Sequence, residues 1–109
     1  MSKDANIFLK DILYSINRVG EMVKGMAFQD FIKNMTVQDA VIRRLSVIGE
    51  AANNIPNEIK GKHKSIEWKK IISMRNFLIH EYFQIDTKVI WDTIKDDLPK
   101  LRAEIIKIT

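Results

Sequence analysis

One stretch of this 109-residue chain sets polar groups of distinct chemistry inside an apolar run: Arg75, Asn76, His80, Glu81 and Tyr82 sit among Phe77, Leu78 and Ile79. Arginine presents a rigid fork of donors to a phosphate, histidine exchanges a proton near neutral pH, and tyrosine offers a hydroxyl. Together these are the parts of a metal-independent site for cutting RNA. At about 100° per residue, Arg75 and Tyr82 share one face of a helix, while His80 lies roughly 140° from Arg75. A helix ending near Ile79 would let all three converge. The plainer reading of the same residues is a surface ion pair between Arg75 and Glu81, a histidine at a helix end and a core tyrosine with its hydroxyl at the rim.

Charge is concentrated just ahead of this stretch. The formal net charge is +4, and Lys60, Lys62, Lys64, Lys69 and Lys70 against Glu67 alone account for that excess, leaving the rest of the chain neutral. Such a run is either a solvated loop and first helical turn, or a patch that attracts a polyanion such as RNA by releasing its counterions. Arg43 and Glu50, seven apart on one helix face, read as belonging to a buried or half-buried ion pair between helices; Arg44 has no assigned role, and His63 reads as solvated. Trp68 and Trp91 fall at apolar-stripe positions and read as core, and the methionines as scattered core fillers.

The elements that must position these groups are helical. Leu9, Ile12, Leu13, Ile16, Val19, Val23 and Met26 recur at three-to-four spacing and form one face of a first helix that Gly25 can end. Phe28 to Asn34 suits a turn or two. Thr36 and Asp39 resemble a capping box ahead of a second long helix, whose stripe is Val37, Val41, Leu45, Ile48, Ala51 or Ala52 and Ile55, stopped by Pro56. Asn57 to Lys64 reads as the main loop, Ser65 as the cap of the next helix, with Trp68, Ile71, Ile72, Phe77 and Ile79 supplying its buried face in some combination. Asp86 or Thr87 can cap a last helix carrying Val89, Ile90, Ile94, Leu98, Leu101, Ile105 and Ile108, with a kink or break expected near Asp97 because Pro99 removes a donor. No stretch alternates at period two, so the expectation is a single all-α domain over residues 1–109, an up-and-down bundle of four or five helices.

Several classes drop out. The longest run without a charge is seven residues, Ala51 to Asn57, far below the roughly 20 apolar residues of a membrane span. The N-terminus shows no secretory pattern, which makes the cytoplasm the expected compartment. Without cysteine there are no disulfides or thiolate zinc sites, and two histidines make a His-dominated metal centre a poor fit. No phosphate-binding glycine loop, His-Glu-x-x-His or Gly-x-Ser-x-Gly occurs, and neither metal nor cofactor is expected.

The run Arg75-Asn76-Phe77-Leu78-Ile79-His80-Glu81-Tyr82 resembles the Arg-x4-His-x-Tyr signature of HepT-like toxins in the HEPN superfamily of ribonucleases. Val41 to Ala52 is similar to the family's preceding long helix, Trp68-x2-Ile71-Ile72 to its lead-in and Trp91 to Leu101 to its last helix, so the likeness covers most of residues 4 to 105. The resemblance implies a helical homodimer whose two motifs face each other and form one RNA-cleaving site. It assigns proton transfer to His80, binding of the scissile phosphate to Arg75, and supporting phosphate contacts to Asn76, with Lys69 and Lys70 of the basic run as further candidates. It also implies a partner, an MntA-type minimal nucleotidyltransferase antitoxin that transfers AMP to Tyr82. The alternative from another class is a non-catalytic helical subunit that contributes nucleotide or partner contacts to such a nucleotidyltransferase.

Overall fold

The structure, a computed structural model, describes residues 3–80 and 86–109, without the side chains of residues 3, 79 and 80. The elements are α1 (Lys3–Met22), α2 (Phe28–Lys33), α3 (Met35–Asn54), α4 (Asn57–Lys62), α5 (Trp68–His80), α6 (Thr87–Asp92), a π-helical turn (Thr93–Asp97) and α7 (Leu98–Ile108). No strand occurs among the described residues, and the architecture is the expected all-α bundle.

The apolar rows read from the sequence become its core. Leu9, Ile12, Ile16, Val19 and Val23 of α1, Val41, Leu45, Ile48 and Ala52 of α3, and Ile90, Ile94, Leu98, Leu101 and Ile105 of the C-terminal helices are all buried. Each such Val, Leu or Ile side chain removed from water contributes roughly 1.5–3 kcal/mol to folding. Helix α3 is central, packing against α1 on one side and α5 on another. Both tryptophans are buried, and Trp91 receives the rings of Phe28 and Phe31, at 6.1 and 5.2 Å between centroids, which ties α2 to α6.

Local chemistry sets the ends. Gly25, at φ 78°, occupies the left-handed region that ends α1, as expected. The cap of α3 is Asn34, whose side-chain oxygen accepts from the Val37 N–H at 3.0 Å, and not Thr36; a capping oxygen two residues earlier lengthens the helix by a turn's fraction. Asn57 to Lys62 is helix where a loop is expected. The Pro56 carbonyl accepts from the Ile59 and Lys60 N–H groups and Ile59 is buried, so a single apolar anchor suffices where no period was visible. Ser65 does not cap α5; its hydroxyl donates to Glu104 of α7 at 2.8 Å, and α5 begins at Trp68, whose indole N–H donates to the His63 carbonyl at 3.1 Å.

Asp86 caps α6 by accepting from the Lys88 N–H. Pro99 neither breaks nor ends the helix. The backbone widens just ahead of it into the π-helical turn, with the Leu98 N–H donating to the Thr93 carbonyl, and Pro99 falls in the first turn of α7 where no donor is required. Leu78 is buried on α5 along with Trp68, while Phe77 and Val89 remain exposed beside an apolar groove of about 660 Å³ between α5 and the C-terminal helices. Met35 is likewise exposed and fills no core space.

Candidate active site

The chemistry-bearing residues of α5 are set by its crossing with α3. Gly49 is buried at that crossing, and a Cβ there would collide with the Arg75 Cβ and come within 2.9 Å of its Cγ and 3.2 Å of its Cα. Only glycine lets the two backbones approach this closely. The root of Arg75 is therefore wedged against α3, and its guanidinium has a short list of places to go.

Two neighbours hold that guanidinium. Nη2 lies 2.6 Å from the Glu50 carboxylate, one residue after the glycine, and Nη1 donates to the Asn76 side-chain oxygen at 2.8 Å. Nε is buried and has no hydrogen-bond partner. Arg75 is 29% and Glu50 50% exposed at the side chain, so the pair sits at the edge of the protein where water still screens it. Because the Asn76 oxygen accepts from Arg75, its NH₂ is left to donate outward. A cavity of about 300 Å³ opens beside the pair, lined by Arg43, Ser46, Val47, Glu50 and Arg75.

The expected ion pair between helices is found for Glu50, with Arg75 as its partner, and not for Arg43, which is exposed and makes no ion pair among the described residues. Arg44 lies over the Tyr14 ring, 5.6 Å from its centroid. His63 is half-buried at the C-terminus of α4.

Helix α5 runs through residue 80, so no break ahead of His80 bends the chain back toward Arg75. By register, Lys69, Ser73 and Asn76 form one row, three and four residues apart, and residue 80 continues it. The side chain of His80, and Glu81 and Tyr82 altogether, lie outside the described residues. Within the basic run, Lys70 pairs with Asp97 at 3.4 Å, Lys62 with Glu58 at 3.6 Å, and Lys60 reaches the Asn53 carbonyl at 3.5 Å. Partial burial lowers the Lys60 ammonium below its ordinary pKa. Lys64 and Lys69 make no ion pair among the described residues and flank an open depression floored by Trp68 and Ile66.

Gly49 is the functional position the sequence reading passed over. The available signal was a glycine inside a helical apolar period, which marks close packing when the helix is otherwise unbroken. No set of three or more potential metal-binding side chains is grouped among the described residues, and no described helix is long and apolar enough to cross a membrane.

Comparison with known proteins places these features in a family. A profile for HepT-like ribonucleases matches residues 12–108. Among curated relatives, a protein described as a gamma-glutamylcyclotransferase and putative RNase from Methanocaldococcus jannaschii is 44% identical over 108 residues, covering 99% of this chain and 49% of the relative. The chain thus spans about half the length of that protein. A probable ribonuclease HepT from Thermococcus cleftensis is 40% identical over 108 residues, covering 99% of this chain and 98% of the relative. No solved structure matches.

Proposed function

Because the chain belongs to the HepT-like ribonuclease family, we propose that it is the toxin of a HepT/MntA-type toxin–antitoxin pair, a metal-independent endoribonuclease acting in the cytoplasm and silenced by transfer of AMP to Tyr82. The observation that carries the reading is the guanidinium of Arg75, fixed between Glu50 and Asn76 at the edge of a polar row on α5.

In this reading the ribose 2′-oxygen attacks the adjacent phosphorus as His80 takes its proton. The bond to the 5′-oxygen breaks, and that oxygen receives a proton from a second acid. Arg75 neutralises the charge growing on the non-bridging oxygens, and the Asn76 NH₂ steadies one of them. Lys69, in the row of Asn76 and without an ion pair among the described residues, holds a flanking phosphate better than Lys70, which is engaged by Asp97.

A single motif supplies one histidine, so the acid and base come from two copies of the chain meeting about a twofold axis. Two features support that arrangement. The α5 register sets residue 80 about 140° from Arg75, which favours a histidine and an arginine from different copies serving one phosphate. Phe77, one turn before residue 80, is an exposed aromatic beside an apolar groove, as a docking face requires. Adenylylation joins the Tyr82 oxygen to the α-phosphorus of ATP and releases pyrophosphate, leaving an anionic, bulky group two residues from His80.

RNA cleavage by the purified dimer in EDTA tests the reading. His80→Ala should abolish cutting with helical circular dichroism unchanged, and incubation with the antitoxin and ATP should add one AMP to the wild-type chain and none to Tyr82→Phe. Undiminished cutting by His80→Ala would overturn the site. Absence of cutting by wild type, with tight binding to the nucleotidyltransferase, would replace it with the non-catalytic subunit.

A further inference from the structure

We infer that Glu50 is a positioning residue for Arg75, one that holds the guanidinium in place from α3; the inference rests on the ribonuclease reading above. Arginine has five N–H donors. Nη2 lies against the Glu50 carboxylate, Nη1 donates to the Asn76 oxygen, and Nε is buried without a partner. A cavity of about 300 Å³ lined by Glu50 and Arg75 opens beside the pair, so a phosphate reaches the guanidinium from there. The donors left over suit its non-bridging oxygens.

Gly49 and Glu50 work as a unit in this arrangement. The glycine lets α5 come close enough for the Arg75 stem to lie against α3, and the next residue then catches its head. A carboxylate is an unexpected neighbour for a phosphate site, because its charge opposes the substrate. Its presence costs ground-state affinity, and what it supplies in exchange is a guanidinium with a fixed orientation, which counts in the transition state.

This exchange has a kinetic signature. Glu50→Ala should lower kcat by about tenfold or more, while KM for RNA stays level or falls because the opposing charge is gone. Glu50→Gln, whose amide oxygen still accepts from Nη2, should recover part of the kcat while keeping the lower KM. A purely structural pair would lower the thermal midpoint and leave KM and the Ala-to-Gln recovery unmoved. Unchanged or raised kcat in Glu50→Ala would overturn the inference and make the carboxylate an obstacle that RNA displaces. If Glu50→Ala does not fold, the Gln variant alone decides by its KM-against-kcat split. Nitrogen-15 NMR of the Arg75 guanidinium in the RNA-free protein separates this idea from the reading beneath it. Hindered rotation of the Nη groups in wild type, released in Glu50→Ala and partly kept in Glu50→Gln, supports positioning even if no RNA is cut. Free rotation in wild type refutes it whatever the activity.

Discussion

Helix α3 meets α1 and α5 on different sides, and the two interfaces are built on different physics. Toward the core it presents Val41, Leu45, Ile48 and Ala52, all buried, in a bundle where α1 contributes Leu9, Ile12, Ile16 and Val19. Attraction there is non-directional and scales with apolar area. Around the α5 crossing it presents Gly49 and Glu50, which add a backbone approach and an ion pair to the apolar packing. Each region leaves one buried polar atom without a partner, the Ser15 hydroxyl in α1 and the Arg75 Nε in α5. In the first region that atom is a local cost with no evident use, whereas in the second it belongs to the side chain proposed to meet the scissile phosphate. An interface made of area tolerates exchange of one aliphatic residue for another; an interface made of geometry does not.

The strongest way to break this contrast is to add one carbon on each side of it. Gly49→Ala should destabilise the protein by about 1–3 kcal/mol in denaturant unfolding, because the helices must part to admit the methyl group, and should reduce RNA cleavage more than stability as Arg75 is displaced. Gly20→Ala, in α1 with open space around its Cβ position, should instead stabilise by about 0.5–1 kcal/mol through helix propensity. Equal effects at the two glycines would show that the α3–α5 crossing relaxes freely.

The same division explains what was legible in the sequence. Period 3.6 identified the buried rows of α1, α3 and α7, since burial along a helix is a local pattern. Pairing between elements is not local. The pattern on α3 marked Glu50 for an ion pair between helices, but the partner lies 25 residues on, at Arg75, and nothing in the spacing selects it. Helix α4 was missed because it has one buried residue, Ile59, and one residue has no period. The disturbance at Pro99 was foreseen, its form was not: a missing donor is absorbed by a π-helical turn when the buried row on both sides, Ile94 and Leu98, is worth keeping continuous. Arg75 and Asn76 were chosen by residue type and do come together, whereas His80 and Tyr82 rest on type, spacing and family likeness alone.

A smaller effect sharpens the contrast from the apolar side. If the unpartnered hydroxyl of Ser15 is only a cost, Ser15→Ala should stabilise the protein by about 1 kcal/mol, from removal of a desolvated polar group and from better helix propensity. Cleavage of RNA should be unaltered, as α1 carries no part of the proposed site. A destabilised Ser15→Ala protein would mean that the hydroxyl is partnered in solution, and the apolar side of the bundle would then be more specific than its packing implies.

The smallest effect concerns a polar contact that, unlike the Arg75 pair, lies outside the proposed site. The Ser65 hydroxyl, 2.8 Å from the Glu104 carboxylate, is the main reason that this carboxyl titrates below its ordinary range, with Lys107 at 3.3 Å adding to the shift. A carboxyl whose folded pKa is depressed contributes stability that is present above the unfolded value and is lost as pH falls through the folded one. Ser65→Ala should therefore move the Glu104 carboxyl upward, toward its ordinary value, in an NMR titration, while Lys107 keeps it from returning fully. At neutral pH the unfolding midpoint should not change measurably, since Ser65 is exposed and water can replace the lost donor. A resolvable loss of stability there would erase the distinction drawn at α3, by showing that directional contacts specify this fold even where solvent competes for them.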